Sequence, residues 1–498
     1  MKTKIFLFII FLLISAGHFS YAGKDKYTEM KNVKAYVDFA DVIGTMDFKN
    51  HSFGIGGVNP MPMPQKTAEG IAKLKPTLIR IFIQEFFFIE KDDGKLDFTA
   101  LDKYMQSVHS TGADIMASIC IKPKSLYPVV DETIWRPNNV KRWQYIIEEM
   151  VKRYSVDNKY VTHWGIGNEI NIGEWGGCPY KIPDPKDYFE YYKMTVEPVL
   201  KVFPQAQVGG PSWAGTGEDG YQFFDEFIGL CQKEKIKLDF VSYNIYSDNP
   251  ENHIEGAIKI KNIVDKYNSG IKIYITELNM DLGGISVEER AYTPKRAAGL
   301  GAILYEYHKR AKFINSFQYH IYDQFCDPDE FKPFYSRYRY MANHWNDEPH
   351  RLGLFDMNGN ARPQYFMYSM LYAMAKTEVA AKVENYENIR ILASHDDKRV
   401  TLFLTNYNPD RTEDITLSIY FKNAPQGKAR MTVYRIDDNK QWDNDRLTLI
   451  PTENRTAYIH DDFWFSLFVP ADGVVMVTLV PDGTADQYSA IPVDNIAR

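Results

Sequence analysis

Two glutamates in this 498-residue sequence stand where a carboxylate is costly. Glu169 ends the run Trp164-Gly165-Ile166-Gly167-Asn168, and Glu277 ends Tyr274-Ile275-Thr276. Each directly follows an apolar, strand-like segment, and an acid beside buried apolar chain needs a purpose. Paired carboxylates can share one reaction: one gives and takes a proton, and the other attacks or activates water. Cleavage of a glycosidic bond uses such a pair. Carboxyls roughly 5–5.5 Å apart work through a covalent intermediate, and carboxyls roughly 6.5–9.5 Å apart leave room for a water.

The elements that must position these acids read as follows. Eight short apolar runs, rich in Val, Ile, Phe and Tyr, are bounded by Gly, Pro, Asn or Asp. They are Ser52–Gly56, Leu78–Ile83, Asp114–Ile119, Val161–Gly167, Gln207–Gly210, Phe240–Tyr246, Ile271–Thr276 and Ser316–Ile321. Helical periodicity lies between them, clearest over Val140–Tyr154, Asp187–Phe203 and Pro294–Ala311. Eight strand–helix units predict an α/β fold, a (β/α)8 TIM barrel spanning about 40–372. Strands covered on both faces should be nearly all apolar, as these runs are. Barrel active sites sit at the C-terminal strand ends. Glu169 and Glu277 end the fourth and seventh runs, roughly three β/α units apart, on opposite sides of one mouth.

After Lys376 the pattern changes. Val400–Asn406, Asp414–Phe421, Arg430–Ile436, Ala457–His460, Phe463–Val469 and Val474–Val480 are strand-like, with turn signals and no helix between them. They predict a C-terminal antiparallel β-sandwich over 376–485, completed by an extended segment within 30–42. A loose polar tail covers 486–498.

The motifs around the two glutamates resemble those of the retaining barrel glycosidases of clan A, and within them glycoside hydrolase family 39, which holds β-xylosidases and α-L-iduronidases. Asn168-Glu169 and Thr276-Glu277-Leu278-Asn279 carry the likeness first. Val208-Gly209-Gly210-Pro211, Asp239-Phe240-Val241-Ser242 with Tyr246, Gly353-Leu354 and Arg362-Pro363-Gln364-Tyr365-Phe366 extend it over about 33–480. The family's Trp-Asn-Glu-Pro-Asn is here Gly-Asn-Glu-Ile-Asn, and Leu278 replaces a Trp. Those changes touch neighbours rather than the carboxylates. The resemblance implies Glu169 as general acid/base and Glu277 as nucleophile. It also implies that Asn168 bonds the sugar 2-OH, while Arg80 and Tyr246 anchor the Glu277 carboxylate and border the substrate. His320, Trp175 and Trp213 are candidate sugar contacts. Asp323, Glu85 and Asp47 are weaker ones, because loop acids often cap helices. The implied activity is that of a retaining, exo-acting β-xylosidase-like enzyme. Another clan A glycosidase (arabinofuranosidase, uronidase or endo-glycanase) and a non-catalytic glycan-binding barrel are the alternatives.

The rest of the sequence narrows the setting. Asp plus Glu is 65 against 58 Lys plus Arg, so the net charge of −7 offers no electrostatic case for nucleic acid. The partner expected is a carbohydrate substrate. No dinucleotide, P-loop or zinc-protease motif occurs, so neither a cofactor nor a metal is expected. Cys120, Cys178, Cys231 and Cys326 are widely spaced and predict free, buried thiols. A basic start, an apolar run from Ile5 to about Gly17 and Ser20-Tyr21-Ala22 predict a signal peptide over 1–22, hence a secreted or periplasmic protein with no membrane span in its mature form. Oligomeric state is not legible. Aromatics reach 14% of residues, which usually means core; Trp464, in the sandwich, is expected there.

Overall fold

The computed structural model describes residues 30–91, 93–267, 270–280, 293–346 and 351–482. The signal segment and the tail expected from the sequence lie outside these residues. Eight parallel strands close a barrel in chain order: His51–Gly54, Leu78–Ile83, Asp114–Ile119, Val161–Ile166, Gln207–Ala214, Phe240–Tyr246, Lys272–Asn279 and Ile314–Tyr319. Phe53 pairs with Gln318 where the last strand meets the first.

Helices cover the outside, and local sequence explains their ends. Asp184 accepts hydrogen bonds from the N–H groups of Lys186 and Asp187, and Pro185 opens the helix Pro185–Val202. Asn139 caps Val140–Val151 through the Arg142 N–H, and the chain continues as a π turn over Lys152–Asp157. The fifth strand runs past Pro211 to Ala214, four residues beyond the end expected from sequence. Proline is tolerated there because the ladder slips between Pro211 and Trp213.

The barrel interior is layered. Met116, Phe240, Tyr274 and Phe317 form a small apolar plug at the floor. Two residues further along their strands stand Ser118, Ser242 and Thr276, which with Arg80 make a buried polar layer. A period of two keeps these residues on one face. Trp143, Trp164, Tyr188, Tyr191 and Tyr192 are fully buried in the outer layer.

The second sheet has nine strands. Their order is Glu453–Ile459, Gly427–Ile436, Val474–Pro481, Val400–Asn406, Ile389–His395, Thr377–Glu384, Lys31–Thr45, Ile415–Lys422 and Trp464–Val469. The expected antiparallel pairing holds except between Lys31–Thr45 and Ile415–Lys422, which run parallel. Lys31–Thr45 precedes the barrel in the chain and Ile415–Lys422 follows it, so no hairpin dictates their relative direction. Two strands escape the sequence reading, Thr377–Glu384 and Ile389–His395. Trp464 is a correction: it is 55% exposed, while Phe465, Leu467 and Val469 of the same strand face the core. All four cysteines are free and buried. Among the described residues no helix is long and apolar enough to cross a membrane, and no group of three or more His, Cys, Asp or Glu is arranged to hold a metal ion.

Candidate active site

Glu169 and Glu277 line one cavity of about 280 Å³ at the C-terminal mouth of the barrel. Backbone geometry aims both acids. Glu169 has φ 45° and follows Gly167 at φ 83°, a tight left-handed turn off the fourth strand. A side chain other than glycine rarely holds such a φ unless its surroundings demand it. Here the Glu169 N–H is tied to the carbonyl of Ser212, 2.8 Å away. Glu277 sits at a slip in the ladder, where Asn244 pairs with Glu277 after Tyr243 pairs with Ile275. Such a bulge re-aims a side chain.

The hydrogen bonds around the two acids differ. Arg80, fully buried, donates from Nη1 to Glu277 Oε1 at 3.0 Å and from Nη2 to Asn168 Oδ1 at 2.7 Å. Tyr246 donates its hydroxyl to Glu277 Oε2 at 2.6 Å. Among the described residues Glu169 receives the amide of Asn244, 2.9 Å from Oε1, and Thr276 Oγ1 donates to Asn244 Oδ1 at 2.8 Å to hold that amide. Burial pushes the Glu169 carboxyl well above the ordinary range, and the charge of Glu277 pushes it further; Asn244 and Arg80 oppose both. The site therefore holds one carboxylate anchored by a guanidinium and one acid inclined to keep its proton.

The residues singled out in the sequence separate into two groups. Asn168, Trp175 and Tyr246 line the cavity with the two glutamates. Asn168 Nδ2 also donates to the Gly176 carbonyl at 3.0 Å. Arg80 lies behind the wall it organises, over the Phe82 ring at 4.1 Å. Trp213 turns to the helix layer, 4.4 Å from the ring of Phe223, and His320 is buried beside Asp323, 3.8 Å from its carboxylate. Neither lines the cavity. Asp323 is bound by Arg362 at 2.6 Å.

Sequence reasoning missed Asn244, Gly176 and Trp345. Asn244 had a signal: Ser242, Asn244 and Tyr246 alternate along an apolar strand, so they share its inward face. Gly176 approaches Glu169 so closely that a Cβ there would overlap its Oε2. Trp345 comes from the helix Tyr338–Asn346, inside a long segment with no readable register. The thiol of Cys178 lies behind the turn. Burial works against its ionisation, yet hydrogen bonds from Cys120 and from the N–H groups of Asn168 and Tyr180 bring it below the usual range.

The model of the family described as glycosyl hydrolases family 39 matches residues 78–445, most of the barrel and part of the second sheet. The chain belongs to that family. A β-xylosidase of Geobacillus stearothermophilus is 24% identical over 170 residues, covering 31% of this chain and 32% of that protein; the chain thus matches about a third of that relative's length. A monomeric β-xylosidase from Caulobacter crescentus has a solved structure with TM-score 0.70 and 16% identity, covering 90% of this chain and 100% of the other. The GH39 enzyme from Xanthomonas axonopodis pv. citri gives TM-score 0.68 at 16% identity, covering 93% and 99%. At such identities the structural likeness shows a shared fold, the barrel with its appended sheet.

Proposed function

We propose that this family 39 chain is a retaining glycoside hydrolase that removes a β-xyloside-type sugar from the end of a neutral glycan. One observation carries the reading: two buried carboxyls share a cavity, and the charge of one helps keep the other protonated. A Glu277 oxygen attacks the anomeric carbon as the bond to the leaving oxygen breaks, and the Glu169 proton passes to that oxygen. Once Glu277 is esterified its charge is gone, so one cause of the raised Glu169 pKa disappears. Glu169, now a carboxylate, takes a proton from water, whose oxygen attacks the anomeric carbon and releases Glu277. Arg80 and Tyr246 hold the attacking carboxylate in place. Asn168 has a second amide hydrogen free of the Gly176 bond with which to reach a sugar hydroxyl.

Neutral sugar and exo action rest on the cavity wall. Among its described lining residues there is no Lys or Arg to neutralise a uronic carboxylate. Trp175, Met341 and Trp345 bound the space, which favours a pocket over an open groove. The β-xylosidases among its relatives agree with that choice. Export is proposed from the first 22 residues and is tested by N-terminal sequencing of protein recovered outside the cytoplasm. The function is tested with aryl β-xyloside, α-arabinofuranoside, β-glucuronide and α-iduronide. The β-xyloside should be cleaved fastest, and Glu277→Ala should lower turnover on the order of 10⁴-fold or more per folded molecule, with circular dichroism reading the folded fraction. A variant keeping a tenth of the activity would refute the role of Glu277.

A further inference from the structure

The second sheet carries a row of aromatic rings on its outer face, far from any role in the barrel chemistry. Tyr36, Tyr420 and Trp464 stand directly opposite one another on three adjacent strands, and Lys382 extends the row on a fourth. The rings lie nearly parallel, with centroids 5.4 Å apart at 22° for Tyr36 and Tyr420, and 5.9 Å apart at 24° for Tyr420 and Trp464. At such separations and angles neighbouring rings stack on one another across the strands. Tyr36 is 46% exposed and Trp464 is 55% exposed.

Polar rows border this strip on both sides. Asp38 and Lys422 pair across one side, with their charged groups 3.3 Å apart, and Lys34, Glu384, Ser418 and Ser466 occupy the other. On the Asp38 side the three rings line a groove of about 640 Å³ together with Lys382, Lys422, Asp461 and Asp462. An apolar strip between hydrogen-bonding rims complements a sugar chain, whose C–H faces are apolar and whose hydroxyls project from its edges.

We propose that this groove is a second glycan-binding site, which holds a neutral polysaccharide chain apart from the catalytic pocket. The charges decide against the other occupants. Acids and lysines alternate around the strip, so the field neither attracts a polyanion nor repels a neutral chain. Three half-bare rings offer on the order of 300 Å² of apolar surface, well below the roughly 800 Å² per partner of a stable protein interface. Cross-strand stacking by itself stabilises a sheet. A purely structural row would not need the flanking groove or an exposed Trp at the sheet edge.

The choice of polymer rests on the glycosidase reading; the binding itself does not. The test is calorimetry on the full chain carrying Glu277→Ala, with soluble β-1,4-xylan, arabinan, β-glucan and polygalacturonate as probes. At least one neutral polymer should occupy two sites per chain. Adding Trp464→Ala or Tyr36→Ala should remove one of them, a loss of roughly tenfold or more in affinity at that site, and Trp464→Phe should restore part of it. In the active background, the same substitutions should leave aryl-glycoside hydrolysis unchanged and lower the melting temperature only slightly, through the lost cross-strand ring pairs. Four results would overturn the site: no neutral polymer bound beyond the pocket, unchanged stoichiometry in Trp464→Ala, equal binding of polygalacturonate, or a concentration-dependent dimer abolished by Trp464→Ala. If every aryl glycoside is inert while xylan still binds at Trp464, the hydrolase reading fails and this site stands.

Discussion

Glu169 at the barrel mouth and Glu378 at the seam between barrel and sheet are both buried carboxyls on strand-bordering positions, and they are driven in opposite directions. Glu378 faces His308 Nε2 at 2.8 Å, Lys309 Nζ at 2.6 Å and Lys312 Nζ at 3.5 Å. Burial works to raise it, but the bonds from His308 and Lys309 bring it to about 2. Glu169 meets one neutral amide, the charge of Glu277 and a guanidinium, Arg80, that bonds Glu277 instead of it, and it is raised. Burial is common to both; the number of cations in reach decides the sign. The seam holds a permanent charge that ties the helix Pro294–Arg310 to the second sheet. The mouth holds an acid that can change state. A buried acid is thus a reaction candidate when its neighbours leave the proton question open.

Exchanging the environments' essential groups separates the two cases. Glu169→Gln should lower turnover roughly 10²–10⁴-fold, most for substrates with poor leaving groups, and abolish the alkaline limb of the rate profile. Rates for a nitrophenyl and an unactivated glycoside across pH check this. Glu378→Gln should cost roughly 1–3 kcal/mol of stability, because it takes the charged partner from buried His308 and from Lys309 and Lys312, which are partly exposed and can turn to water. Turnover per folded molecule should not change; denaturant melts paired with active-site titration read both. The pH slopes should also differ. Glu378 binds its proton less tightly folded than unfolded, so its contribution is present above about pH 4.3 and is lost as pH falls toward 2. Glu169 binds its proton more tightly when folded, so its contribution is present at low pH and lost as pH rises. Melting temperatures of the two Gln variants against wild type from acid to neutral pH should diverge accordingly. The smallest effect is geometric. Gly176→Ala should push the Glu169 carboxyl aside and lower kcat by roughly 10²-fold without shifting the melt of the seam.

Both glutamates were legible because each follows an unbroken apolar strand, and the eightfold repeat placed them on one mouth. Arg80 was legible through the family resemblance instead, since it lies inside the strand Leu78–Ile83 and acts from behind the wall. Trp213 was not, since the slip after Pro211 turns it outward, where Gly220 makes room for its indole. Trp464 misled through parity: one residue along, Phe465 takes the inward face. Thr377–Glu384 reads Thr-Glu-Val-Ala-Ala-Lys-Val-Glu, a composition that favours helix. Pairing with Lys31–Thr45 overrides that preference. Asn244 was readable from alternation alone. Trp345 was not, because its helix belongs to an insertion that no repeat predicts.

The paired roles of Glu169 and Glu277 are tested most directly by proton NMR of the first-formed sugar from whichever aryl glycoside is cleaved. Two successive displacements at the anomeric carbon should release the anomer with the configuration of the substrate, before mutarotation mixes the two. Release of the opposite anomer would contradict a covalent intermediate on Glu277.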